Sequence, residues 1–174
     1  MKGEAAAGKL NLIVGGESEL FESLRPLLSC FAENITLAGP IGSGHRMKLL
    51  HNYVSLGFSA VLAEASVSAR RAGIDDEVFV EVLAKGGGAG VILDRLAPFI
   101  QHADDSAFLF SMANAAKDMS YYLEMAQHMD AHFGIAQSIR DIYVSARDNL
   151  PEQTPVPRLI DSLYPIGLQA LYSC

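Results

Sequence analysis

A glycine-rich turn, Gly39-Pro40-Ile41-Gly42-Ser43-Gly44, divides the 174-residue chain into two stretches of different character. Before it, residues 9–14 (Lys-Leu-Asn-Leu-Ile-Val) are a short apolar run closed by Gly15-Gly16, the pattern of a buried strand. Residues 17–32 place Leu20, Leu24, Leu27, Leu28 and Phe31 at helical spacing. Acidic residues near the start of that segment suit the helix dipole, and Pro26 bends or shortens it. Residues 34–38 (Asn-Ile-Thr-Leu-Ala) read as a second strand. Strand, helix and strand are too little sheet to stand alone.

After the turn the pattern is helical throughout, with no strand. One long helix is expected over residues 45–72, stopped by Gly73. Met47, Leu50, Val54, Phe58, Val61, Leu62 and Ala65 recur along it at three- and four-residue steps, beside a polar stripe of Lys48, Asn52, Ser55 and Ser59. Small residues in its second half (Ala60, Ala63, Ser66, Ala69) permit close approach of other helices. Further helices are expected from the caps Asp75 and Asp76 through Ala84, over 91–101, over 108–133, over 135–149, and from Pro157 to about Leu163. Gly86-Gly87-Gly88-Ala89-Gly90 lacks the Lys-Ser/Thr ending of a phosphate loop and reads as a hinge. The fold class is mainly α: an all-helical bundle with a long central helix, preceded by a short strand-helix-strand piece.

Composition narrows the function classes. Half the residues are hydrophobic, yet no run reaches the roughly 18–20 apolar residues of a membrane span. A formal charge of −7 argues against nucleic acid, which calls for basic patches. The start, Met1-Lys2-Gly3-Glu4-Ala5, lacks the apolar core of a signal peptide. Two cysteines make no disulfide framework: Cys30, expected to be buried in an apolar helix, and the terminal Cys174. The expectation is a soluble cytoplasmic chain with no membrane or nucleic-acid partner.

Chemistry concentrates where the glycine turn enters the long helix. Lys48 and Asn52 lie four residues apart, so they stack on one helix face one turn apart. Glycines at 39, 42 and 44 let backbone approach a ligand closely. An amine and an amide placed side by side can hold a small polar substrate and move a proton to or from it. Without the glycine turn the pair would read as an ordinary exposed face. Ser43 and His45 lie in the turn, as ligand contacts or as plain turn residues. Glu124, His128 and His132 share one helix face, but no fourth ligand is evident, so no metal is assigned. Met112, Met119, Met125 and Met129 fit packing more simply than any cofactor role.

The order of these features resembles the beta-hydroxyacid dehydrogenases, the group around 3-hydroxyisobutyrate dehydrogenase and tartronate semialdehyde reductase and, more distantly, 6-phosphogluconate dehydrogenase. The likeness rests on Gly39-x-x-Gly42-x-Gly44-x-x-x-Lys48-x-x-x-Asn52, on Glu64 with Gly73-Ile74-Asp75, and on Lys117-Asp118-Met119 preceded by Phe108 and Phe110. It covers nearly the whole chain. It implies that residues 1–40 are the end of an NAD(P)-binding Rossmann domain and that residues 41–174 are an all-α substrate and dimerisation domain. It implies Lys48 as catalytic acid/base, Asn52 and Gly44 at the substrate, and Lys117 reaching the cofactor, NAD or NADP, with a small hydroxy acid as substrate and a homodimer as the assembly.

Two features depart from that pattern. The fingerprint Gly-x-Gly-x-x-Gly after a first strand is absent, and the family's substrate-gripping Ser-Gly-Gly would fall at or before Met1. Ala89-Gly90 stands where family members often carry a serine. The chain is therefore expected to be the C-terminal part of an oxidoreductase, inactive by itself. A non-catalytic helical dimerisation module is the alternative, favoured by the missing fingerprint and opposed by the intact Lys48 and Asn52.

Overall fold

A computed structural model describes residues 8–164. The calls on Met1–Ala5 and Cys174 lie outside the described residues. The elements run β1 (Leu10–Gly15), α1 (Ser18–Leu28), β2 (Ala32–Gly39), α2 (Ser43–Arg71), α3 (Asp76–Ala84), α4 (Val91–His102), α5 (Met112–His128), α6 (Gly134–Asn149), a 3-10 turn (Val156–Arg158) and α7 (Leu159–Leu163). The chain is mainly α. It divides into two compact units that part between Asn52 and Tyr53, inside α2.

In the first unit β1 and β2 pair in parallel, with Leu12 against Ile35 and Val14 against Leu37. Asn34 Nδ2 donates to Asn11 Oδ1 at 2.7 Å across the pair. The α1 crossover returns the chain to start β2, as a parallel pair requires. Phe21 and Ala32 are the buried apolar side chains of this unit among the described residues, while Leu20, Leu24, Leu27 and Phe31 are exposed. Cys30 is exposed too, which corrects the buried expectation. α1 stops at Leu28, and Cys30 sits in the turn beyond it, its amide donating to the Leu27 carbonyl at 3.2 Å.

The second unit has a dense core. Leu56, Ala60, Leu62, Ala63 and Val67 of α2, Leu93, Leu96, Phe99 and Ile100 of α4, and Met112, Ala115, Met119 and Leu123 of α5 are all buried. α2 buries only part of the face that its larger apolar side chains mark, Leu62 among them. Met47, Leu50, Val54 and Val61 are exposed, whereas Ser59 and Ser66 are fully buried. Small side chains let partners close in. A Cβ added to Gly57 would meet Ile139 Cδ1 at 3.0 Å. The hydroxyls of Ser59 and Ser66 need no outside partner, because they donate to the carbonyls of Ser55 and Ala63 within the helix.

Polar clasps fix the helix ends. Arg70 grips Asp76 through two nitrogens at 3.0 Å and donates to the Ile100 carbonyl at 2.9 Å, tying α2, α3 and α4 together. Asp75 accepts from the Glu77 amide as the cap of α3. That hydrogen bond holds its carboxyl below the ordinary range. Ser111 caps α5. α5 is shorter than expected at both ends: Phe108 and Phe110 lie before it, beside an isolated bridge from Ser111 to Pro155, and Asp130 turns left-handed (φ 52°) just after it.

Candidate functional site

The glycine turn is a backbone joint within the first unit. Gly39 and Gly42 adopt positive φ of 126° and 90°, which a side chain rarely tolerates. Gly44 is buried, and a Cβ there would come within 2.5 Å of the Ile13 carbonyl oxygen. A Cβ on Gly15 would come within 2.8 Å of the Pro40 carbonyl oxygen and 2.9 Å of the Gly44 amide nitrogen. Two glycines thus let the first turn of α2 press on the end of β1. The space at Gly44 is filled by strand backbone.

Lys48 and Asn52 follow on the same uninterrupted helix. Lys48 is exposed and Asn52 half-buried. Both are engaged in the fold, Asn52 with His51 Nδ1 at 3.2 Å from its Oδ1. Ser43 is the first residue of α2, its amide bonded to the Pro40 carbonyl, and His45 is exposed.

Lys117 belongs to the second unit, on α5. It is about half exposed, and its Nζ donates to Asn114 Oδ1 at 3.2 Å. Its neighbour Asp118 is 4 % exposed, with Oδ1 3.7 Å from the Lys117 Nζ. Asp118, the middle residue of the Lys117-Asp118-Met119 motif, has a burial that the sequence signals. It falls on the buried phase of α5 with Ala115, Met119 and Tyr122, and a charged residue in a core phase demands a reason. Tyr53 and Tyr122 stack with ring centroids 4.2 Å apart. Burial, then the neighbouring Tyr53, pushes the Tyr122 hydroxyl up.

The metal spacing dissolves structurally. α5 ends at His128, so His132 is off that helix, and His128 Nδ1 lies 2.7 Å from the Glu124 carbonyl oxygen. No group of three His, Cys, Asp or Glu suited to a metal ion occurs among the described residues. Met112 and Met119 are core, whereas Met129 is exposed.

A nicotinamide dinucleotide makes two demands on these residues. Its diphosphate needs a bare helix N-terminus after a strand, but the Gly15-Gly16 turn enters α1 with Glu17 and Glu19, which repel an anion there. Its polar end groups need accessible donors: in the first unit Lys48 is exposed and Asn52 half-buried, and in the second Lys117 is about half exposed. The donor chemistry of each unit suits such end groups, and the acidic entry to α1 does not suit the diphosphate.

Residues 42–161 match the family model described as the NAD-binding domain of NADP-dependent 3-hydroxyisobutyrate dehydrogenase. Among curated proteins, the 3-sulfolactaldehyde reductase of Escherichia coli is 30 % identical over 145 residues, covering 82 % of this chain and 48 % of that protein. The NAD-dependent L-serine dehydrogenase of Pseudomonas aeruginosa is 30 % identical over 169 residues, covering 97 % of this chain and 52 % of that protein. A solved 3-hydroxyisobutyrate dehydrogenase of Mycobacterium tuberculosis with L-serine superposes with a TM-score of 0.83 at 24 % identity, over 92 % of this chain and 57 % of that one. That likeness is one of fold. The chain spans about half the length of the curated relatives it matches.

Proposed function

We infer function from one premise: the chain belongs to the family of NAD-binding domains of NADP-dependent 3-hydroxyisobutyrate dehydrogenase. The family is one of NAD(P)-dependent dehydrogenases, and its cofactor class is NAD(P). We propose that this chain is the C-terminal part of such an enzyme acting on a small hydroxy acid. In this reading residues 1–40 close a Rossmann domain, and residues 41–174 are the all-α substrate and dimerisation bundle of a cytoplasmic homodimer.

Lys48 is the proposed acid/base. Oxidation of a hydroxy acid removes a hydride from carbon and a proton from oxygen. NAD(P)+, when bound, accepts the hydride. The neutral amine of Lys48 takes the hydroxyl proton, and in the reverse direction the ammonium returns it to a carbonyl oxygen. Asn52, one turn further on, orients the substrate, and Lys117 reaches the cofactor or substrate from α5. Gly44 serves by keeping the entry to α2 narrow. The observation that carries this reading is the pairing of Lys48 and Asn52 on an unbroken helix whose first turn is seated against the end of β1 through Gly15 and Gly44.

The test takes the extended gene product, with the dinucleotide fingerprint in frame, against small 2- and 3-hydroxy acids with NAD and NADP. Lys48→Ala is expected to cut turnover by about 10²–10⁴-fold with circular dichroism unchanged. A near-normal rate would defeat the assignment. The isolated chain is expected to turn over neither cofactor. The exposure of Lys48 favours the second reading, a non-catalytic helical module, and a gene with no in-frame fingerprint upstream would decide for it.

A further inference from the structure

α3 is the anomaly of the second unit. Its sequence, Asp-Glu-Val-Phe-Val-Glu-Val-Leu-Ala, is mostly apolar, yet none of its residues is buried. α4 beside it, no richer in apolar side chains, buries Leu93, Leu96, Phe99 and Ile100. Ile74, Val78 and Val82 recur every four residues and are 46 %, 50 % and 64 % exposed. With Phe79 and Leu83 they line an open apolar groove of about 280 Å³. A face of that kind calls for a cover.

The path of the chain points to the cover. α7 ends at Leu163, and the ring of Tyr164 lies 5.6 Å from the Arg71 guanidinium. Arg71 is the last residue of α2, three before Ile74. The described chain therefore leaves off beside the end of α2, three residues before the groove-lining run begins at Ile74. The sequence then continues Pro165-Ile166-Gly167-Leu168-Gln169-Ala170-Leu171-Tyr172-Ser173-Cys174. Five of these ten residues are Ile, Leu, Ala or Tyr, and none carries a charged side chain, in a protein with 33 Lys, Arg, Asp and Glu (13 + 20). Extended at about 3.3 Å per residue, ten residues reach about 33 Å, more than the nine-residue helix α3 is long at about 1.5 Å per residue. A tether this short holds the segment at a high effective concentration over the groove. Glu77 and Glu81 lie on the same helix, so an uncharged occupant also avoids the repulsion an acidic one would meet.

We propose that residues 165–174 dock within their own chain along the Ile74, Val78 and Val82 face of α3, as an apolar strap that completes the second unit. The proposal stands independently of the dehydrogenase reading.

The native Cys174 makes it testable in the full chain. With the exposed Cys30 replaced (Cys30→Ser), Val82→Cys places a second thiol in the groove, at a position open enough to accept it. Oxidised glutathione supplies the oxidant. The intrachain disulfide to Cys174 is expected to form at least tenfold faster than in a control carrying Ile135→Cys, a comparably exposed site on α6. A rate no greater than the control overturns the proposal. So does a disulfide-linked dimer, which would assign the groove to a second copy. In a second measurement, a chain ending at Tyr164 is expected to exchange its α3 amides at least fivefold faster than the full chain, with α4 amides unchanged. Equal α3 exchange in the two proteins also overturns it.

Discussion

The two units of this chain are built on different terms. The second carries a core that runs through α2, α4, α5, α6 and α7, with Tyr143, Met119 and Ile160 fully enclosed. The first has two parallel strands, one crossover helix, and Phe21 and Ala32 as its buried apolar side chains. Parallel strands are ordinarily covered on both faces, and two of them make no stable sheet alone. The contrast teaches where stability resides. The second unit owns its hydrophobic stabilisation, and the first is held by backbone fit between Gly15, Gly44 and the strand ends.

The largest test of that contrast truncates the core. Met119→Ala, at a fully buried position, should cost about 2–5 kcal/mol. Leu24→Ala, on the exposed face of α1, should stay within about 0.5 kcal/mol. Urea unfolding followed by circular dichroism measures both. Similar losses at the two sites would break the comparison.

Gly44→Ala probes the other mode of stabilisation. Its methyl group would meet the Ile13 carbonyl oxygen at 2.5 Å, and backbone cannot yield as a side-chain tip can. The expected cost is about 1–3 kcal/mol, felt first in β1. Faster amide exchange over Leu10–Gly15 with α5 unaffected would sharpen the division into two units. Equal acceleration in both would erase it.

Tyr143 gives a smaller effect with a pH signature. Its buried hydroxyl donates to the Leu56 carbonyl at 2.9 Å. Burial pushes its ionisation far above the ordinary tyrosine range, with Ser59 offsetting part of the rise. The folded protein therefore keeps a proton that the unfolded chain releases near pH 10. Stability is full below that pH and falls above it, by up to about 1.4 kcal/mol per pH unit. Tyr143→Phe should cost about 1 kcal/mol at pH 7 and make the alkaline loss shallower by one proton. An unchanged slope in alkaline urea titrations would contradict the buried-hydroxyl account.

The smallest effect is at the α3 cap. Hydrogen bonds from Glu77 depress the Asp75 carboxyl below its usual 3.8. Its contribution is present above the unfolded value and lost as pH falls through the depressed one. Acid titration followed by α3 amide exchange should show this protection fading as pH falls, and Asp75→Ala should lack it already at neutral pH.

Sequence alone determined a good deal of this molecule. The break at Gly39–Gly44, the strand-helix-strand start, the long helix, and the stacking of Lys48 over Asn52 all follow from glycine tolerance and from periods of 2 and 3.6. These are local properties, fixed within a few residues. Tertiary structure decided the rest. Nothing local says that α2 buries Ser59 and Ser66 while exposing Met47 and Val54. That choice belongs to the helices packed against it, which need small residues to come close. Nor does any glycine or proline mark the end of α5: it stops where Asp130 turns left-handed, so periodicity alone overran it. Cys30 is exposed for the same reason: an apolar spacing does not reveal where a helix stops, and this one stops at Leu28. What Gly44 makes room for was also hidden until the fold brought Ile13 beside it, because a close contact depends on a partner that is far away in the sequence.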